Sequence, residues 1–140
     1  MKNWLGFMLV VSISLFGCGE NNTTAPSITP PSQQLKGTYK LVSASGTYTY
    51  QDGIISLEGA NSITGTLVLG DASYDETLVI DGVTYSRSNG SYIMTSTNGP
   101  GEGNMAMTYP NGASTFIINF DDFNLVLTGN PNCKWQKVSD

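Results

Sequence analysis

The sequence predicts an all-β fold, an up-and-down antiparallel barrel of about eight or nine strands over residues 36–140. Three observations point there. Apolar and polar residues alternate with period two in one short segment after another. Glycines, prolines and Asn-Gly or Asp-Gly pairs interrupt these segments at the roughly 8–12-residue spacing of sandwiches and barrels. After the first seventeen residues no stretch sustains the 3.6-residue period of a helix.

Composition narrows the function. The 140 residues suffice for one domain. The formal net charge is −5 and no basic patch is present, so nucleic acid is not expected as a partner. Histidine is absent, which removes the commonest general base and the commonest metal ligand.

Residues 1–17 open with Lys2 and continue through a mostly apolar run, Trp4 to Phe16. The run is short of the roughly 20 residues that span a bilayer as a helix, and it has the shape of a secretory signal peptide. It ends Leu15-Phe16-Gly17-Cys18. That ending resembles the lipobox of bacterial lipoproteins, with Phe16 where a small residue is common. The resemblance implies cleavage before Cys18, a thioether from Cys18 to diacylglycerol, and usually an acylated amine. A plain secretion signal, with Cys18 in the mature tail, is the alternative. Each buried CH₂ of an acyl chain adds about 0.8 kcal/mol, so two or three chains hold the protein to a membrane almost permanently. Gly19 follows the cysteine. By resemblance, the lack of aspartate there implies the bacterial outer membrane, facing either side.

Residues 18–35 form the expected tether. After Cys18 they read "GENNTTAPSITPPSQQL", in which Ile28 and Leu35 are the large apolar residues. Such a segment cannot bury enough surface to offset its ordering entropy. Its random-coil span is about 23 Å, lengthened by Pro26, Pro30 and Pro31. Loss of Lys2 with the signal takes the formal charge from −5 to −6, which anionic lipid mildly repels.

The strands follow in order. Tyr39 and Leu41 alternate with Thr38 and Lys40; Ile63, Leu67 and Leu69 alternate with Thr64 and Thr66. Asp81-Gly82 separates two strands and is a strong hairpin signal. Tyr92 with Met94, Met105 with Met107 and Tyr109, Phe116 with Ile118 and Phe120, Phe123 with Leu125 and Leu127, and Cys133 with Trp135 and Lys137 each share a face. Short connections make sequence neighbours spatial neighbours, and a meander with one apolar face closes most readily into a barrel. The stretch 96–104, "STNGPGEGN", is the expected mobile loop, at a barrel mouth.

"LKGTYKLVSASG", "NGSYIM", "FIINFDDFNLVLTG" and the closing aromatic-x-basic ending resemble, in order and spacing, the short bacterial lipocalin-like (calycin) domains. Gly37 matches the family's first-strand glycine, and Tyr39 stands where the family has tryptophan. Trp135 and Lys137 match its closing aromatic and basic residues. The resemblance implies a barrel end closed by Gly37, Tyr39, Trp135 and Lys137, with the Lys137 amine over the Tyr39 ring, a cation–π contact of about 0.5–1 kcal/mol. The alternative is that Tyr39 and Trp135 are ordinary core aromatics.

Catalytic constellations are not found. Asp75-Glu76 are adjacent on a strand and point to opposite faces. Asp121-Asp122 read as a solvated turn and lack the pattern of a calcium loop. Cys133 reads as a buried, inert thiol, and a lipidated Cys18 would leave it no disulfide partner. No phosphate loop, metal spacing or nucleotide fingerprint occurs, and no cofactor is expected. Tyr85, Tyr92, Met94, Met105, Met107 and Phe116 are the candidate lining of an apolar ligand site, with core filling as the alternative. The expected protein is therefore a non-enzymatic, membrane-anchored, lipocalin-like lipoprotein of the cell envelope that binds a small hydrophobic ligand. The alternative is a protein-binding module, an inhibitor or an accessory subunit of an envelope complex.

Overall fold

A computed structural model describes residues 34–140, the side chain of Asn98 excepted. The expected signal peptide, Cys18 and the tether as far as residue 33 lie outside the described residues. Ten strands follow one another: β1 Gly37–Ser45, β2 Thr47–Tyr50, β3 Gly53–Ser56, β4 Ile63–Leu69, β5 Ser73–Ile80, β6 Val83–Gly99, β7 Glu102–Tyr109, β8 Gly112–Phe120, β9 Asn124–Thr128 and β10 Asn132–Ser139. Eight of them close into one antiparallel barrel in the order β1-β10-β9-β8-β7-β6-β5-β4. The all-β, up-and-down barrel read from period-two stripes is thus the observed fold, consistent with a lipocalin-like architecture. The remaining pair, β2 and β3, forms a separate hairpin outside the ring.

The strand directions define two barrel ends. At one, the entry end, lie Leu35, the start of β1 and the turns after β4, β6 and β8. At the other lie Gly46, the β2–β3 hairpin and the turns after β5, β7 and β9. The entry end is closed from within: the Tyr39 hydroxyl donates to the Leu35 carbonyl at 2.7 Å, and the Tyr92 hydroxyl to the Gly70 carbonyl at 2.7 Å. Leu35 is buried in the core, so the folded domain begins before residue 36 and the expected tether ran too far by at least this residue. An apolar side chain at the mouth of an apolar barrel gains more from burial than from solvation.

Turn chemistry fixes the register. Asp81 and Gly82 take φ of 49° and 84°, as a two-residue type I′ turn requires. Asp81 Oδ1 also accepts from the Asn61 and Ser62 amides, both at 2.9 Å, and pins the approach to β4. The segment 96–104 is not the mobile loop its glycines predict. It continues β6 and β7 to a tight turn at Pro100-Gly101, with Thr97 opposite Gly103 and Gly99 opposite Glu102. Gly103 serves close approach: a Cβ there would sit 2.5 Å from the Ser96 carbonyl oxygen. Phe123 also departs from its expected stripe. Asp121 Oδ1 accepts from the Phe123 and Asn124 amides, forming a turn that leaves Phe123 68 % exposed while Leu125 and Leu127 point inward.

β6 carries a β-bulge opposite β5. Tyr74 faces Gly90 across β5–β6, but Glu76 faces Arg87, so β6 holds one more residue than β5 between these pairs. Asn89 takes φ of 58° at this bulge, and its amide donates to Asp75 Oδ1 at 2.9 Å. The bulge switches inward positions from Tyr85 and Arg87 to Gly90, Tyr92 and Met94. Gly90 is required here because the Tyr74 ring lies across it; a Cβ would be 2.3 Å from Tyr74 Cε1. Gly90→Ala is expected to destabilise the domain by about 1–3 kcal/mol, the usual effect of overpacking, measured by urea unfolding.

Candidate functional site

The inward stripe of β5 reads Tyr74, Glu76, Leu78, Ile80, and that of the first half of β6 reads Tyr85, Arg87. Alternation on neighbouring strands therefore puts one carboxylate and one guanidinium inside the barrel, as direct cross-strand partners. Both are buried: Arg87 is 1 % exposed and Glu76 3 %. Arg87 Nη1 donates to Glu76 Oε2 at 3.2 Å, and Arg87 Nε donates to the Thr49 carbonyl in β2. The guanidinium carbon lies 4.2 Å from the Tyr48 ring centroid and 4.6 Å from that of Tyr109. A planar cation that donates at its edges and rests against two rings fits guanidinium and not ammonium.

Arg87 thereby joins the hairpin to the barrel. Tyr48 of β2 is fully buried on the guanidinium. The Gln51 amide donates to the Ser86 carbonyl at 3.3 Å, the Thr47 amide to Asn130 Oδ1 at 2.7 Å, and Tyr50 meets Tyr85 edge-on at 4.9 Å. Leu57, just past β3, is buried and returns to the Gly46 carbonyl at 2.8 Å. The hairpin shares no strand ladder with the barrel. It is a cover seated on that end, held by a stacked arginine, a few polar contacts and its buried Tyr48 and Leu57.

The electrostatics of the interior follow from dryness. Burial pushes the Glu76 carboxyl above the ordinary carboxylate range, and the Arg87 charge and the nearby Tyr48 hydroxyl oppose that rise. Burial pushes the Cys133 thiol up to about 12; Glu76 adds to the rise and Arg87 opposes it. The Tyr48 and Tyr74 hydroxyls are raised chiefly by burial as well. The Tyr48 hydroxyl interacts with the Glu76 carboxylate and the Tyr74 hydroxyl with the Arg87 guanidinium, while Trp135 Nε1 is buried without a hydrogen-bond partner among the described residues.

Of the residues predicted to line a ligand site, five are inward neighbours on adjacent strands, Tyr92 opposite Met107 and Met94 opposite Met105, which in turn faces Phe116, while Tyr85 stands apart. Tyr85 is half-buried under the hairpin, against Tyr50. Tyr92 sits at the entry end with its hydroxyl pushed up to about 12, chiefly by burial. Met105, Met107 and Phe116 are fully buried, Phe116 against Gly129, and Met94 packs beside Gly103. Four outer clefts of about 300, 460, 230 and 290 Å³ are lined by other residues. The largest of these lies between β1, β4 and β5, lined by Lys40, Leu41, Thr64, Gly65, Thr66, Thr77 and Val79. Of the residues expected to close the barrel, Gly37 and Tyr39 are at the entry end, where the Lys137 side chain crosses Gly37 and its amine pairs with Asp140. Trp135 is fully buried along β10, opposite Leu41 and Leu125. Lys137 is the cross-strand partner of Tyr39, with its amine on Asp140, and a second cation, Arg87, stacks on Tyr48 and Tyr109.

Glu76, Arg87, Tyr48, Tyr74 and Tyr109 were not singled out from the sequence as a cluster. A signal existed: Arg87 is the chain's single arginine, and period-two counting puts it inward on β6 while Glu76 is inward on β5. The fold and this cluster define the class, a small closed antiparallel barrel with an ion pair buried beneath a hairpin cover. No protein-family model matches the chain, and neither a curated protein nor a solved structure does.

Two outcomes test this geometry. Arg87→Met strands a buried carboxylate and is expected to destabilise the protein by about 3–5 kcal/mol, whereas Glu76→Leu combined with Arg87→Met restores most of that loss in chemical denaturation. Cys133 is expected to resist iodoacetamide in the folded protein at mildly alkaline pH and to react fully in guanidinium, read by mass spectrometry.

Proposed function

We propose that this chain is a non-enzymatic binding lipoprotein of the bacterial cell envelope, a lipocalin-like barrel that takes a small hydrophobic ligand from the end covered by β2–β3. The observation that carries this reading is the asymmetry of the two ends. The entry end is sealed by core side chains, Leu35 and Tyr39 among them. The opposite end is covered by an element outside the strand ring, which meets the barrel through Arg87, a few hydrogen bonds and its buried Tyr48 and Leu57. A separable cover is of use to a barrel whose interior must be reached. Lipidation of Cys18 in the outer membrane fits this arrangement, because the chain enters the fold at the sealed end and leaves the covered end clear of the tether.

The non-enzymatic part of the reading draws on the same cluster. Glu76 and Arg87 neutralise each other, and Cys133 is buried with its thiol held protonated. Among the described residues no group of three His, Cys, Asp or Glu side chains comes together.

Titration of the full-length chain with a fluorescent fatty-acyl analogue is expected to saturate at one probe per chain. A signal that never saturates rejects the reading. Cys18→Ser is expected to move the protein from the membrane to the soluble fraction, and a wild-type Cys18 of unmodified mass rejects the anchor.

A second reading, a protein-binding module, rests on the outer face of β6–β8. There Ile93 and Ile117 are 62 % and 55 % exposed around Ala106 of β7. Replacing both isoleucines by serine leaves probe binding unchanged under the first reading.

A further inference from the structure

Charge is unevenly spread over the outside of the barrel. Of the chain's 6 basic and 11 acidic side chains, all but Lys2 and Glu20 fall among the described residues, so the folded domain is acidic. Within residues 88–133 the only charged side chains are Glu102, Asp121 and Asp122. All three stand at the entry end, in or beside the turns after β6 and β8. The second half of β6, β7, β8 and β9 are consecutive in the ring. Their outer faces therefore make one wall, four strands wide, that carries no charge except at its entry rim. Ile93 and Ile117 stand out from this wall, 62 % and 55 % exposed. Ile93 lies opposite Ala106, and Ile117 lies opposite Asn104, the next outward residue of β7. The polar groups of the wall are partly spent on one another. Asn104 Nδ2 donates to Ser96 Oγ at 2.6 Å, and the Thr95 hydroxyl donates to the Asn104 carbonyl at 3.3 Å.

Such a wall loses little on leaving water. Interface cores are depleted of charged residues, and neighbouring exposed apolar side chains mark contact surfaces. The charge pattern also selects the occupant. A basic partner finds no carboxylate on the wall to answer it, and an acidic partner finds no cation. A second copy of this chain fits. Two bodies with the same negative excess repel each other, and least when they meet through the face that carries no charge. The face is also self-complementary. The isoleucines lie diagonally on either side of β7. A two-fold axis in the plane of the wall, between Ala106 and Asn104, sets Ile93 against the partner's Ile117, and symmetry repeats the contact. We infer that the outer wall of β6–β9 is a homodimer interface, in which two barrels pack face to face through Ile93, Ala106 and Ile117. This rests on the protein-binding reading above and names its partner. A plane four strands wide, at about 4.8 Å a strand, and about 20 Å tall covers about 400 Å². A standard stable interface takes about 800 Å² per partner, so this dimer is a weak and reversible one.

The test begins with sedimentation equilibrium of the full-length chain. The wild type is expected to pass from monomer to dimer at about 10–100 µM, the range of a small interface. The association is expected to tighten as ionic strength rises from about 0.01 M to about 0.15 M, because screening weakens the repulsion between two acidic bodies and takes nothing from an uncharged contact. Ile93→Ser combined with Ile117→Ser is expected to weaken the dimer about tenfold or more, with the urea midpoint unchanged. Ala106→Cys, beside the axis, is expected to give a band of twice the chain mass with a short bis-maleimide in whole cells. Thr64→Cys, exposed on β4 across the ring, and the wild type are expected to give none. A wild type that stays monomeric at about 1 mM, a dimer that loosens with added salt, or one that survives the double serine variant overturns the inference. Cross-linking of Ala106→Cys solely to a chain of another mass overturns self-association and leaves the protein-binding reading standing. Cross-linking to no protein overturns both.

Discussion

The arrangement of this protein turns on one buried ion pair. Glu76 and Arg87 face each other across two strands in the interior of a barrel whose other inward positions are almost all apolar. Placing two charges there is costly, and their mutual attraction alone seldom repays it. The surroundings repay it instead. Two tyrosine rings stack on the guanidinium, a backbone carbonyl from the hairpin accepts from Nε, and the bulge at Asn89 sets the parity that lets Arg87 and Gly90 both point inward. Without the pair, Tyr48 loses its seat and the hairpin one of its attachments.

That dependence makes the two ends of the barrel different materials. At the entry end, apolar side chains and tyrosine hydroxyls bonded to backbone carbonyls close the interior as any core is closed. At the hairpin end the same number of strands is finished by a polar cluster and by a hairpin outside the strand ring. A binding function needs that second kind of end, because a solid core admits nothing. An exterior docking function does not need it, and draws instead on the outward isoleucines of β6 and β8.

Period-two alternation made the barrel legible, since each strand's inward side chains had to be apolar for a sheet this small to close on itself. Asp81-Gly82 announced its turn because two consecutive positive φ values leave few residue choices. What stayed hidden depended on pairing. The extra residue in β6 moves the inward set from odd to even positions at Asn89, and only the partner strand shows where that happens. Gly101 and Gly103 looked like flexibility and proved to be clearance, because a close backbone contact reads the same as a loop in composition alone. The hairpin β2–β3 was invisible as a separate element, since nothing in "TYTYQDGIIS" says that its strands pair only with each other. Glu76 and Arg87 escaped notice because each was judged beside its chain neighbours, while their meaning lies across the strand gap.

The ring is closed by β1, which meets β10 on one side and β4 on the other. The β4 side of that seam holds only four residue pairs, Gly37–Lys40 against Leu69–Thr66. The hairpins from β4 through β9 can form from local segments, but β1 must wait for β10, almost a hundred residues later. On a ribosome, then, the domain stays an open sheet with two bare edges until its last strand has emerged, and such edges invite pairing with other chains. A chain exported in the unfolded state would postpone that hazard to the far side of the membrane, where closure can follow at once.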